Sequence, residues 1–118
     1  MPVFFEDPQF TVRQPLLGGW RITDKERGST LVPQAQLREK ISLIWMQIRR
    51  DFRRDPELRR EMENRMFHHF ARATADTRSP SWIALIELPT RDFISLCEYE
   101  VEKALSVWIL RGPDGKPI

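Results

Sequence analysis

The sequence predicts a mainly α-helical fold: a small helical bundle of three longer helices plus one short helix or strand, with an N-terminal extended or β-hairpin region packed on it. Apolar residues recur at helical spacing in three long segments, and proline follows a capping residue at two segment starts. The first 33 residues lack this periodicity and hold four of the nine prolines and three of the five glycines. We therefore expect one domain, with an N-terminal arm over 1–33, a helical region over 34–110 and a tail over 111–118.

The N-terminal arm contains two short runs typical of β-strands, Trp20–Thr23 and Ser29–Val32. The polar segment Asp24–Gly28 lies between them and predicts a turn, so the arm is expected to form a β-hairpin. Because an isolated hairpin is only marginally stable in water, it should pack against the helices.

The first long helix is predicted from about Gln34 to Arg54, and a second one follows it after a short break. At 100° per residue, one face of the first helix is apolar. Asp55 can cap the second helix, Pro56 suits its first turn, and Glu57 favours the positive end of its dipole. The predicted core residues of the two helices are Leu37, Ile41, Ile44, Trp45, Ile48 and Phe52, then Leu58, Met62, Met66, His69, Phe70 and Ala73.

Two further segments complete the predicted bundle. Ser79 and Pro80 resemble a cap and first turn, so the apolar run over 82–88 is expected to be a short helix, with a buried strand as the alternative. Pro89 ends it, and Thr90 is expected to cap a last helix reaching about Leu110. Its predicted apolar face comprises Phe93, Ile94, Cys97, Val101, Ala104, Leu105 and Trp108.

Composition narrows the class of protein. No apolar run approaches the roughly 18 to 20 residues that a membrane span requires. The N-terminus does not resemble a signal peptide, and Cys97 has no second cysteine for an internal disulfide, so a cytoplasmic location is expected. The net charge is +2, but residues 34–78 hold eleven Lys and Arg against seven Asp and Glu, an excess of four positive charges. A polyanion, if one binds, is expected to contact this middle region.

The residues best suited to chemistry favour structural roles. His68 and His69 are adjacent, but helical geometry separates their side chains by about 100°, so a shared metal is not expected. His69 is predicted to be buried and His68 to lie at the surface. Cys97 falls within an apolar stripe, where a thiol packs as a small hydrophobic group. We therefore predict no catalytic residue, no metal site and no cofactor.

Arginines crowd the end of the first helix and the start of the second, and Leu43 and Met46 lie on the far side of helix one from its apolar stripe. One interpretation is a solvated face whose charges pair internally, as Asp51 with Arg54, Arg53 with Glu57 and Glu61 with Arg65. Another is a binding face, because Arg and Met are enriched in protein interfaces. Either the N-terminal arm covers Leu43 and Met46, or a partner does. The predicted partner-binding residues are Leu43, Met46, Arg49, Arg50, Arg53, Arg54, Arg59 and Arg60.

These features favour a non-enzymatic binding or regulatory module that contacts a protein partner, which includes a second copy of the chain. The alternative is a nucleic-acid-binding protein that uses the same basic helix face. The charge is nearly balanced overall, and neither a helix-turn-helix nor an RNA-binding aromatic signature is present, so the protein partner is favoured. No membrane partner is expected.

Overall fold

The structure is a computed structural model that describes residues 3–14 and 19–97. It combines a four-stranded antiparallel sheet, in the order β1-β2-β3-β4, with four helices that follow it in the chain. The predicted high helical content is confirmed, but the fold is mixed α/β and not mainly α, because the N-terminal region forms a four-stranded sheet. The elements are β1 (Val3–Glu6), β2 (Phe10–Arg13), β3 (Arg21–Asp24), β4 (Ser29–Leu31), α1 (Ala35–Asp51), α2 (Pro56–Ala75), α3 (Pro80–Glu87) and α4 (Thr90–Cys97).

The predicted hairpin is confirmed as β3 and β4, and its turn is fixed by Asp24 and Gly28. The buried Asp24 carboxylate accepts hydrogen bonds from the backbone N–H groups of Glu26 and Arg27, at 3.1 and 3.2 Å. Gly28 has a φ of 66°, a left-handed conformation that glycine adopts without the cost of a Cβ atom. Polar turn residues with one glycine are therefore sufficient to specify this connection.

The strands β1 and β2 are not predicted from the sequence. Asp7 starts the tight connection between them, since its Oδ1 accepts from the N–H groups of Gln9 and Phe10, at 2.8 and 2.6 Å. The register shifts between Val3 and Phe5, which marks a β-bulge at this edge strand. Phe5 is buried and Phe4 packs against the core, although strict alternation would place these neighbours on opposite faces. The bulge thus hides the period of two in β1, and β2 shows no such period because its first three residues are all buried.

Local capping chemistry starts the middle helices as predicted. Asp55 Oδ1 accepts from the N–H of Leu58, and Ser79 Oγ accepts from that of Trp82, both at 3.1 Å. The segment after Pro80 is accordingly a helix and not a strand. The first helix ends at Asp51, three residues before the predicted end, and residues 52–54 form a turn.

The central element is α2, which packs against β1, β2 and β3 as well as against the other three helices. It is therefore buried on more than one side, and Phe67, which the single predicted stripe left out, is fully buried. The prediction that Leu58 belongs to the core is wrong, because this residue lies in the first turn of α2 and is 37% exposed. An aromatic cluster joins the sheet to α1 and α2, with ring centroids 5.2 to 6.5 Å apart, and consists of Phe4, Trp20, Trp45, Phe67 and Phe70.

Two basic side chains form hydrogen bonds with backbone carbonyl groups at the ends of other helices. Lys40 Nζ on α1 donates to the carbonyl oxygen of Leu88 at 2.6 Å, and burial lowers the pKa of this amine. Arg65 on α2 donates to the carbonyl oxygen of Cys97, the last described residue of α4. The predicted continuation of the last helix, with Val101, Ala104, Leu105 and Trp108, and the tail over 111–118 lie outside the described residues.

Candidate protein-interaction site

The outward face of α1 carries the two most exposed of the large apolar side chains among the described residues. Leu43 is 58% exposed and Met46 is 57% exposed, whereas the core side of the same helix is fully buried. Glu39 lies one turn before this pair and Arg50 one turn after it, and both are exposed. We call Glu39, Leu43, Met46 and Arg50 the α1 stripe.

A groove of about 690 Å³ runs beside the α1 stripe, between α1 and the start of β3. Its floor is held in place by Trp20, which is buried and whose indole N–H donates to Ser42 Oγ at 3.5 Å. The groove mixes apolar and polar side chains, as binding clefts commonly do. The lining residues are Gln14, Gly19, Trp20, Arg38, Glu39, Ser42, Leu43 and Met46.

The predicted N-terminal cover over this face is not formed by the described strands. They pack on α2, and they leave Leu43 and Met46 more than half exposed. Gln14, Gly19 and Trp20 of the N-terminal arm line the groove beside Leu43 and Met46, so both explanations of these side chains stay predictions.

Most of the arginines at and just beyond the end of α1 have no carboxylate partner among residues 3–14 and 19–97. Arg49 stacks on the indole of Trp45, with its guanidinium carbon 5.0 Å from the ring centroid. Arg50, Arg53 and Arg54 are exposed, and none of them forms an ion pair with another described residue. Arg49 and Arg50 occupy the last turn of α1, where they also favour the negative end of the helix dipole.

The internal pairing predicted for this face forms only in part. Arg65 pairs with Glu61 on α2 as expected. Asp51 instead accepts a hydrogen bond from Gln47 Nε2 at 2.8 Å, and no ion pair joins it to Arg54 in the described part of the chain. The reason is that α1 ends at Asp51, so helical spacing does not hold beyond it.

Two predicted binding residues lie apart from the α1 stripe. Arg59 is half-buried and pairs with Glu63 at 3.8 Å. Arg60 lines a different groove of about 370 Å³, between β1 and α2, together with Glu63 and Asn64. The structure therefore keeps Leu43, Met46 and Arg50 together, places Arg49, Arg53 and Arg54 near the end of α1, and separates Arg59 and Arg60 from the groove beside the stripe.

The two histidines occupy the contrasting environments that the sequence predicts. His69 is buried, and its Nδ1 lies 2.7 Å from Ser81 Oγ. Burial, with the nearby charges of His68 and Arg72, lowers the pKa of His69 to about 4, so this imidazole is neutral at pH 7. His68 is 42% exposed, and its Nδ1 lies 3.4 Å from Asp7 Oδ2. Cys97 is fully buried, in agreement with a packing role.

Within residues 3–14 and 19–97, no group of three or more His, Cys, Asp or Glu side chains is arranged to hold a metal ion. The helices of these same segments also include none that is both long and apolar enough to cross a membrane. No protein-family model matches the chain, and searches of curated proteins and of solved structures found no match.

Sequence reasoning missed the acidic end of the α1 stripe. Glu39 is not among the predicted binding residues, although it lies four residues before Leu43, the same spacing that separates Met46 from Arg50. This i, i+4, i+7, i+11 pattern is visible in the sequence and places all four side chains along one line of a helix. The groove contributions of Gln14 and Ser42 depend on tertiary packing, and no local signal indicates them.

Proposed function

We propose that this protein is a non-enzymatic interaction module that binds another protein through the α1 stripe and the groove beside it. The observation that carries the proposal is the exposure of Leu43 and Met46, at 58% and 57%, in the middle of a well-formed helix. Covering two such side chains removes apolar surface from water and contributes about 1 kcal/mol for each. Arg50 adds a guanidinium that binds carboxylates with two hydrogen bonds.

The test compares proteins retained from cells of the native host by three baits. The first is the wild type, and the second is Leu43→Gln/Met46→Gln, which removes apolar surface while keeping good helix formers on α1. The third is the control Val3→Gln/Val32→Gln, which changes two other apolar residues that are 48% and 54% exposed. We expect specific proteins to be retained by the wild type and the control and lost from the α1 variant.

The stability of the variants makes the comparison interpretable. Because Leu43 and Met46 contribute little to the core, their double substitution should change the free energy of unfolding by less than about 1 kcal/mol. If the α1 variant folds normally and retains the same proteins as the wild type, the proposal is wrong.

A nucleic-acid-binding function is favoured by one observation, the exposed Arg50, Arg53 and Arg54 without described carboxylate partners. Such a function predicts affinity that falls steeply with salt, because each neutralised phosphate releases counterions. Fluorescence anisotropy with labelled single-stranded RNA and duplex DNA at low salt tests it directly. Binding that Arg50→Glu/Arg53→Glu/Arg54→Glu abolishes would favour this second function over protein binding.

A further inference from the structure

We infer that the partner of the α1 stripe is a second copy of this chain, packed with its α1 antiparallel across a two-fold axis. The inference rests on the proposed function and names the partner for the same surface. It is carried by the order of the four side chains along α1, which is acidic, apolar, apolar and basic.

The spacing within the α1 stripe matches a helix–helix seam. Glu39, Leu43, Met46 and Arg50 are separated by four, three and four residues, which is the repeat that keeps one line of side chains facing a partner helix. Helices that meet along such a line cross at about 20°. The stripe lies opposite the buried face of α1, so a second helix can approach it without displacing the core.

The charges at the two ends cannot satisfy each other within one chain. Glu39 and Arg50 are eleven residues apart, so about 16 Å of helix separates them. Neither forms an ion pair with any other described residue. Residues 3–14 and 19–97 therefore leave both charges to be neutralised by a partner.

An antiparallel copy supplies the complement of every position. The pair Leu43 and Met46 and the pair Glu39 and Arg50 have the same midpoint along α1. A two-fold axis at that midpoint places Leu43 level with the partner copy's Met46. The same axis places Glu39 level with the partner copy's Arg50, twice in the dimer. Such self-complementarity is what an isologous interface requires.

Other arrangements and partners fit less well. A parallel pair would bring Glu39 against its own copy and Arg50 against its own copy, and like charges at these positions disfavour association. A uniformly acidic protein surface or a phosphate backbone would complement Arg50 but would be repelled by Glu39. Since the seam contains only two apolar positions, the dimer should be weak and its population should depend on protein concentration.

The test is sedimentation equilibrium of the whole chain over about a hundredfold range of concentration. We expect the wild type to dimerise reversibly. Glu39→Arg and Arg50→Glu should each weaken the homodimer at least about tenfold, because symmetry introduces every like-charge contact twice. Circular dichroism checks that each exposed substitution leaves the fold intact.

The decisive measurement mixes the two single variants in equal amounts. In the mixed dimer both charged contacts join opposite charges, so we expect the mixture to associate at least as tightly as the wild type. The double variant Glu39→Arg/Arg50→Glu should recover its own homodimer for the same reason. The control mixes Glu87→Arg with Arg91→Glu, two exposed charges on α3 and α4, and each of these variants should behave like the wild type alone and in the mixture.

Two results would overturn the inference: a wild type that stays monomeric across the whole range, or a mixture that associates no better than its separate components. Either result leaves the proposed function to its own test. If Leu43→Gln/Met46→Gln still loses specific host proteins, only the identity of the partner is wrong. If it loses none, both proposals fail.

Discussion

Acid should destabilise this fold through one buried imidazole, His69. Its pKa is about 4 in the folded chain and 6.5 as a free side chain, chiefly because burial disfavours the charged form. Below pH 6.5 the unfolded chain therefore binds a proton that the folded chain does not, and stability falls until the pH passes the folded pKa. By proton linkage the loss is about 2 kcal/mol between pH 8 and pH 5, and about 3 kcal/mol once the pH is below 4.

Urea unfolding followed by circular dichroism, at pH 8 and pH 5, measures this loss. Because carboxylates also titrate in acid, the informative quantity is the difference between wild type and His69→Gln at each pH. His69→Gln should be the less stable protein at pH 8, where it weakens the contact with Ser81, and should lose less stability on acidification. The control His68→Gln changes the neighbouring half-exposed ring and should keep most of the wild-type pH dependence. If the wild type and His69→Gln differ in free energy of unfolding by the same amount at pH 8 and at pH 5, the reasoning is refuted.

Three further predictions concern local features of the fold. Asp55→Ala should lower the free energy of unfolding by about 1 kcal/mol because α2 loses its cap, whereas Asp55→Asn should lower it much less. Gly28→Ala should lower the free energy of unfolding by about 1 kcal/mol because of the positive φ at this position, and Gly28→Asn should lower it less, since Asn tolerates this conformation. Urea titrations measure these free energies for the Asp55 and the Gly28 variants. Cys97 should react with a thiol reagent at least about a hundredfold faster in urea than in the folded protein, because burial blocks the thiolate from the reagent; equal rates would contradict its placement.

The sequence predicts the elements whose signals are local. The starts of α2 and α3 follow from Asp55 and Ser79, each of which is followed by a proline, and the β3–β4 turn follows from its polar residues and Gly28. β1 escapes prediction because the bulge lets consecutive residues, Phe4 and Phe5, both pack inward. β2 escapes because its first three residues are all buried and show no alternation. A periodicity argument has no means of anticipating that irregularity.

The sequence is sufficient to predict the apolar centre of the candidate site. It is not sufficient to predict which of the surrounding arginines belong to the site. Leu43 and Met46 stand out from the sequence because they lie opposite the apolar stripe of the same helix. The prediction that Arg53 and Arg54 share that face depends on a helix that continues to Arg54, and α1 ends earlier, at Asp51. Arg60 lies beside β1, an element that the sequence reading did not contain.

The central position of α2 bears on how the chain folds during synthesis. All four strands and α1 precede α2 in the sequence, yet the sheet and α1 pack against it. At roughly 5 to 20 residues per second, the 20 residues of α2 take about 1 to 4 s to be added, and until then Trp20 and Phe4 have no complete core to enter. The aromatic side chains of the nascent chain therefore stay without their full packing partners for at least that interval, and slower synthesis of this stretch prolongs their exposure.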